Sequence, residues 1–368
     1  MKCKLVRMVI RAGITRLALC LLLFGGCANL PATSTAPHPA AASTPQTTGT
    51  VERSTTGGSC VAATCAAQSV SVFVEPDAGT APVLQAIRSA TRSIWIEVYL
   101  FTDRTVIHAL ESAAAHGVDV RVLLEAHPYG GGDVQAARLL EELQAAGVHA
   151  EPASPAFTYT HAKLMLIDQA TAYIMTSNLT VSGLGGTSSY ADRDYGVIDT
   201  NSLDVSTLAG IFTADWHRTS ASATDSRLVI SPINARSALN ALLASAQTSL
   251  DVEDEEMYDR ASEDALIAAA RRGVSVTVVL PQPSAGASPS PDVERLLHGG
   301  VRVRYLRAPY LHAKLVIVDG RLAFVGSENF SATSLDRNRE VGILLSNPAA
   351  LVMLKTAYAH DEATATAA

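Results

Sequence analysis

His312-Ala-Lys314-Leu-Val-Ile-Val-Asp319-Gly320 decides the reading of this chain, because His161-Ala-Lys163-Leu-Met-Leu-Ile-Asp168-Gln169 stands 151 residues earlier. Each copy predicts a β-hairpin, with an apolar β-branched run, a turn at Asp319-Gly320 or Asp168-Gln169, and a returning strand. Alternation puts His312 and Lys314 on one face and starts Asp319 on the other, with the same parity for His161, Lys163 and Asp168. If the two turn residues form the whole loop, Ser327 falls opposite His312 with Asn329 at the same end, and Thr176 falls opposite His161 with Asn178 two residues on. Each hairpin end then offers an imidazole, a fixed cation, a hydroxyl and an amide, which suits an oxyanion such as a phosphate. One His on an apolar strand is ordinarily a satisfied core residue, and one strand Lys an edge gatekeeper. Two such pairs, at one spacing and before the same turn, argue instead for a duplicated site.

The two stretches resemble the phospholipase D superfamily, whose signature H-x-K-x4-D-x6-G-S-x-N occurs twice in its lipid-acting members. The second copy matches in full through Gly326, Ser327 and Asn329; the first has Met175 and Thr176 in the glycine and serine places and keeps Asn178. The resemblance implies a catalytic motif of His161, Lys163, Asp168, His312, Lys314 and Asp319. It makes Thr176, Asn178, Ser327 and Asn329 substrate-binding. Within the motif Asp168 and Asp319 are expected to act structurally, tying the hairpin ends through turn hydrogen bonds or ion pairs. Downstream, Asp192-Arg193-Asp194-Tyr195-Gly196 echoes Asn338-Arg339-Glu340-Val341-Gly342. By the resemblance Glu340 orients one imidazole and Asp194 the other; the alternative is a surface carboxylate at a strand start. The His held by a carboxylate is expected to be the cation and its partner the neutral base. Family likeness implies a phosphohistidine on His161, with His312 as acid/base. His-x-Lys spacing puts a cation where a second metal ligand would stand, so neither metal nor other cofactor is expected.

Residues 1–27 carry Lys2, Lys4, Arg7, Arg11 and Arg16, then the apolar run Leu17 to Phe24, then Gly25-Gly26-Cys27. That is a secretory signal, too short to span a membrane. Its ending resembles a bacterial lipobox with Cys27 as the acylated residue, which implies an exported, membrane-anchored periplasmic lipoprotein, outer membrane favoured; ordinary signal cleavage and secretion is the alternative. Residues 28–69, rich in Pro, Ala, Ser and Thr, read as a flexible tether. Cys60 and Cys65 either close a small disulfide or remain free. Without the signal, 23 basic residues face 35 acidic ones, a balance of −12 that disfavours capture of nucleic acid.

The repeat extends beyond the hairpins. Ser93 to Glu97 aligns with Ser249 to Glu253, Asp103 with Asp259, and Ala115 to Leu124 with Arg271 to Leu280, all at an offset of 156. Helix patterns at 83–91, 105–116, 238–247 and 262–272, closed in two cases by Gly117 and Gly273, separate the strands. Each half reads as helix, strand, helix, strand, helix and hairpin. The fold class is therefore α/β: two similar sandwich lobes in one chain with pseudo-two-fold symmetry, at 70–225 and 226–362, followed by a disordered tail at 363–368. Two glycine- or proline-rich loops, Tyr129 to Asp133 and Pro281 to Pro291, follow strand ends, where α/β folds place ligands, and are expected to shape the pocket mouth; a plain surface loop is the default alternative. Glu97 and Glu253 recur and are expected at a pocket or interface; the rest of Asp251 to Glu256 reads equally well as an exposed acidic rim.

The leading expectation is a monomeric phospholipase D-type phosphodiesterase that hydrolyses or transfers phospholipid headgroups. Alternatives are a phosphatidyl transferase of the cardiolipin synthase kind, a nuclease, and an inactive lipid-binding lipoprotein.

Overall fold

The computed structural model describes residues 67–187, 190–285 and 287–368. The signal, Cys27, Cys60, Cys65 and all but the last three residues of the 28–69 tether lie outside the described residues. Ala67 is already held, its N–H on the Leu344 carbonyl at 2.8 Å.

The first half runs β1 (Val70–Glu75), α1 (Ala81–Ser89), β2 (Ser93–Val98), α2 (Arg104–Ala115), β3 (Asp119–Leu124), α3 (Asp133–Ala145), β4 (His149–Pro152), β5 (Lys163–Ile167), β6 (Thr171–Met175), β7 (Asp192–Asp199) and α4 (Ser202–Trp216). The second runs β8 (Leu228–Ser231), α5 (Ala235–Ala244), β9 (Ser249–Asp254), α6 (Arg260–Arg271), β10 (Ser275–Pro281), α7 (Pro291–His298), β11 (Arg302–Leu306), β12 (Tyr310–Leu311), β13 (Lys314–Val318), β14 (Leu322–Gly326), α8 (Ala332–Asp336), β15 (Glu340–Leu345), α9 (Pro348–Thr364) and β16 (Thr366–Ala367). Each half thus opens on a strand that the helix-first sequence pattern missed. The repeated Asp103 and Asp259 are helix N-caps: Asp103 accepts from Thr105 and Val106 N–H, Asp259 from Ser262 N–H. Gly117 and Gly273 follow the same two helices at φ 87° and 91°, the left-handed region a closing residue needs.

The sheets have matching strand orders, β1-β7-β6-β5-β2-β3-β4 and β8-β15-β14-β13-β9-β10-β11, completed to eight strands each by β12 alongside β7 and β16 alongside β11. Alternation along the strands builds separate cores. Ile94, Ile96 and Val98 pack with residues of α1, α2 and α3, whereas Trp95, Leu164 and Leu166 join Leu315, Ile317 and Val325 of the other sheet in a shared layer. Into that layer α4 contributes Leu208 and Phe212, and α9 contributes Leu354 and Tyr358.

Buried charge ties the halves together there. Arg193 forms a two-pronged ion pair with Asp361 of α9 and donates to the Glu75 carbonyl. Arg339 pairs with Asp215 of α4, Nη2 to Oδ1 at 2.9 Å, and donates to the Ser231 carbonyl at 2.7 Å. Glu97 and Glu253 are fully buried beside these pairs, in line with the expected interface position. Burial first, and then Asp215 or Asp361, pushes both carboxyls up, Glu253 to about 8.

Two expectations are corrected. The tail is ordered at Thr366–Ala367, because β11 leaves an unpaired edge that β16 covers, with Ala368 N–H on the Val303 carbonyl at 3.1 Å. The hairpin register is offset by one residue. The two-residue turns are present, with Ala170 N–H on the Ile167 carbonyl and Arg321 N–H on that of Val318, and Asp168, Gln169, Asp319 and Gly320 all at positive φ. The ladders, however, pair Ile167 with Thr171 and Val318 with Leu322, so Ala170 and Arg321 are extra residues on the returning strands. Thr176 and Ser327 therefore do not lie opposite His161 and His312.

Candidate active site

The chain arriving at each His-x-Lys motif crosses to the other half before it enters its own sheet. Thr158 N–H bonds to the Arg337 carbonyl and His161 N–H to that of Arg339, at 2.9 and 2.8 Å; Tyr310 N–H bonds to Ala191 and His312 N–H to Arg193, at 3.0 and 3.2 Å. Each His backbone is thus fastened one residue before the carboxylate of the opposite half. The side chains follow: His161 Nδ1 lies 2.9 Å from Glu340 Oε2, and His312 Nδ1 lies 2.9 Å from Asp194 Oδ1. An acceptor on Nδ1 fixes the tautomer and leaves Nε2 of each ring without its own proton until one is taken up.

Both imidazoles are held, so the expectation of one held cation and one free base is replaced by a finer difference. Burial foremost, opposed by Glu340 and aided by Lys163 and Lys314, lowers His161 to about 4. Its ring also meets Tyr99 edge-on at 4.6 Å. His312 has a second carboxylate, Glu255, whose Oε2 lies 3.6 Å from its Nε2.

The carboxylates are themselves braced. Glu340, fully buried, accepts from Ser334 Oγ at 2.7 Å and Asn338 Nδ2 at 2.9 Å; burial raises it, but His161 and Lys163 outweigh that and keep it below its ordinary value. Thr176 donates its hydroxyl proton to Asp194 and accepts Tyr195 N–H, and Ser327 accepts Val341 N–H at 3.0 Å. These two hydroxyls are fully buried and bonded to protein groups. Asn178 accepts Leu100 N–H through Oδ1 at 3.3 Å, while Asn329 has a buried Oδ1 without a partner and donates its backbone N–H to Ser334.

Lys163 and Lys314 are buried, each Nζ turned back on the carbonyl of its own His. Beyond that they diverge. Burial, and then Lys314 against Glu340, brings Lys163 down to about 7, and its Nζ lies 5.3 Å from the Tyr99 ring centre. Burial acts the same way on Lys314, but Glu255, Asp194 and Asp254 overcome it and leave Lys314 raised. Glu255 bonds Lys314 Nζ at 3.0 Å. Asp254 is buried opposite Lys314 in the β9–β13 ladder. The rim reading of Asp251 to Glu256 is thus corrected at these two residues: the ladder sets Asp254 opposite Lys314, and Glu255, just past the end of β9, bonds the same lysine. Glu255 and Tyr99 occupy the same place in the repeat, and neither stood out in sequence because the motif does not include them.

Asp168 and Asp319 are in the hairpin turns, seven residues along the chain from the imidazoles and separated from them by β5 and β13. Asp168 gathers N–H groups of Thr91, Arg92 and Ser93, and Asp319 those of Gln247, Thr248 and Ser249. Against burial, these N–H groups lower Asp168 to about 2 and Asp319 in the same direction. Their inclusion in a catalytic set is corrected to the structural role: they clamp the turn onto the start of the central strand. The loop at Tyr129 does reach the site, its N–H on Tyr99 Oη at 2.6 Å.

The cluster as a whole contains two lysines, two oriented imidazoles and four carboxyl groups, enough to hold one phosphodiester, attack it and protonate its leaving group. Among the described residues no group of His, Cys, Asp and Glu is placed to hold a metal, and no helix is long and apolar enough to cross a membrane.

The family model described as "Cardiolipin synthase, PLD-like domain" matches residues 83–216 and 239–361. Relatives include a probable cardiolipin synthase, YwiE, of Bacillus subtilis (strain 168), 27% identical over 76% of this chain and 63% of its own, and cardiolipin synthase B of Salmonella typhi, 28% identical over 72% of this chain and 73% of its own. The chain therefore spans less than two thirds of the Bacillus relative. Among solved structures, phosphatidylserine synthase from Haemophilus influenzae Rd KW20 superposes with a TM-score of 0.61 at 12% identity, over 82% of this chain and 88% of its own, which shows a common fold.

Proposed function

The chain belongs to the phospholipase D-like domain family of the cardiolipin synthase type, and from that premise we propose that it transfers a phosphatidyl group from one phospholipid to an acceptor alcohol. The observation that carries the reading is the crossed pairing of His161 with Glu340 and His312 with Asp194, beside Lys163 and Lys314. A phosphodiester repels nucleophiles and leaves as a strong base, so it needs cations at its free oxygens, a neutral nucleophile on one side and an acid on the other. Lys163, Lys314, Asn178 and Asn329 hold the phosphate. His161, kept neutral by burial, forms a bond to phosphorus through Nε2 as the phosphorus–oxygen bond to the headgroup breaks, and His312 gives that oxygen its proton. His312, now neutral, takes a proton from the acceptor hydroxyl as that oxygen displaces His161. With water as acceptor the same sequence is hydrolysis, the leading sequence expectation; the relatives' names favour an alcohol.

The test incubates purified protein with vesicles of phosphatidylglycerol, and separately with plasmid DNA, with and without chelator. Diphosphatidylglycerol and free glycerol are the expected products. Phosphatidic acid alone makes the protein a hydrolase, nicked plasmid makes it a nuclease, and no turnover leaves a lipid-binding role. Export and acylation of Cys27 belong to the same proposal and are read by incorporation of labelled fatty acid, abolished in Cys27→Ala.

A further inference from the structure

The asymmetry between Tyr99 and Glu255 has a direction. Glu255 touches the half of the site in which the proposed mechanism places the departing or incoming alcohol. Its Oε2 lies 3.6 Å from His312 Nε2, the nitrogen that hands over the proton, and 3.0 Å from Lys314 Nζ, while Oε1 accepts the Tyr310 hydroxyl at 3.1 Å. At the matching place beside His161 stands the uncharged Tyr99 ring.

A bound phosphodiester must share Lys314 with Glu255 or displace it. Lys314 has three N–H donors, one on the His312 carbonyl and one on Glu255, so a single donor remains for a phosphate oxygen. Either outcome sets the phosphate and Glu255 in competition for Lys314, and a charge left under-compensated in a mostly buried place is unfavourable. Asp192 and Glu256 show the same crowding: burial first and neighbouring carboxylates after, Glu255 among them, push both up. A neutral polyol can offer Glu255 hydrogen bonds but no charge. An amino alcohol brings an ammonium two carbons from the ester oxygen that His312 protonates, within reach of Glu255, with the half-exposed Tyr310 ring beside it.

We propose that Glu255 is a specificity-determining residue that selects a phosphodiester whose alcohol carries an ammonium group, the ethanolamine class of headgroup, at the His312 side of the site. The inference rests on the phosphodiester reading of this site, and its test is a binding measurement that does not depend on turnover.

Calorimetric titration of the full chain compares two soluble diesters, glycerophosphoethanolamine and glycerophosphoglycerol. Wild type is expected to bind the first about tenfold more tightly, the scale of one close charge pair. Glu255→Gln and Glu255→Tyr should each reduce that ratio to near one, with the ethanolamine diester weakened and the glycerol diester unchanged or tightened. Equal binding by wild type, tighter binding of the glycerol diester, binding of neither at millimolar concentration, or a ratio that survives in both variants would overturn the proposal. Selective binding without any phosphatidyl product from vesicles that contain phosphatidylethanolamine as well as phosphatidylglycerol would uphold this inference while removing the transfer reading.

Discussion

The two half-sites share a His-x-Lys motif and a sheet order, yet their electrostatic surroundings are opposed. On the first side Val98 and Tyr99 flank Lys163, and burial brings that lysine down to about 7; on the second Asp254 and Glu255 flank Lys314 and raise it. The backbone symmetry brings the imidazole of each half to a carboxylate of the other, and the flanking side chains make the two unequal. A duplicated scaffold supplies the geometry, and a few departures from duplication divide the labour between its copies.

The most severe way to break this comparison is to delete one imidazole at a time. His161→Ala and His312→Ala should each reduce turnover by at least about 10³-fold. Only the His312→Ala protein should retain label on a phosphorylated imidazole after quenching. Label on His312 in the His161→Ala protein reverses the roles.

Next in size is the crossed charge between the halves. Arg193→Ala leaves Asp361, and Arg339→Ala leaves Asp215, as a buried unpaired carboxylate, and each should cost about 3–5 kcal/mol in urea unfolding. One cooperative transition with an unchanged slope is expected, because both pairs lie in the layer that the halves share. Two separated transitions would show that the lobes fold independently.

The hairpin clamps are a smaller matter. Asp168→Ala and Asp319→Ala should each lose about 2 kcal/mol of stability, for several charge-assisted hydrogen bonds, with kcat changed by less than about twofold. Asp168 is lowered from 3.8 to about 2, so its contribution is fully present above the unfolded value and is lost as pH falls through about 2. The difference between wild type and Asp168→Ala should therefore fade in strong acid. A kcat that falls with stability intact would return this residue to the chemistry.

The finest test is the pH profile of kcat/KM on a soluble phosphodiester. The acid limb should fall through about 4, where His161 takes up a proton, and the alkaline limb should begin near 7, where Lys163 loses one; both values belong to a coupled set. The Glu340 charge raises both groups, so Glu340→Gln should lower both and move the two limbs together toward acid. Limbs that stay in place, or that move apart, would separate Glu340 from His161 and Lys163.

Local chemistry explains why so much of the fold was readable. Hairpin strands and closing glycines at Gly117 and Gly273 depend on neighbours a few residues away, and the repeat doubled each signal. Arg193 and Arg339, with Asp215 and Asp361, also recur at one offset of 146. That signal stood in the echo around Asp194 and Glu340, but a buried ion pair has no short-range pattern to announce it. The register offset escaped for a similar reason: one extra residue after each turn changes no residue type and only displaces the ladder.

By itself the sequence determined that this protein is a doubled α/β chain with a His-Lys pair at the end of each hairpin, because periodicity, turn chemistry and spacing are written along the backbone. Only the tertiary structure decided that His161 takes its carboxylate from the second half and His312 from the first, that Thr176 bonds Asp194 and Ser327 the Val341 N–H, and that Glu255 stands on Lys314 where Tyr99 stands by Lys163. Those relations join residues far apart in the chain, and they are set by two sheets packing face to face and exchanging the strands that lead into the site.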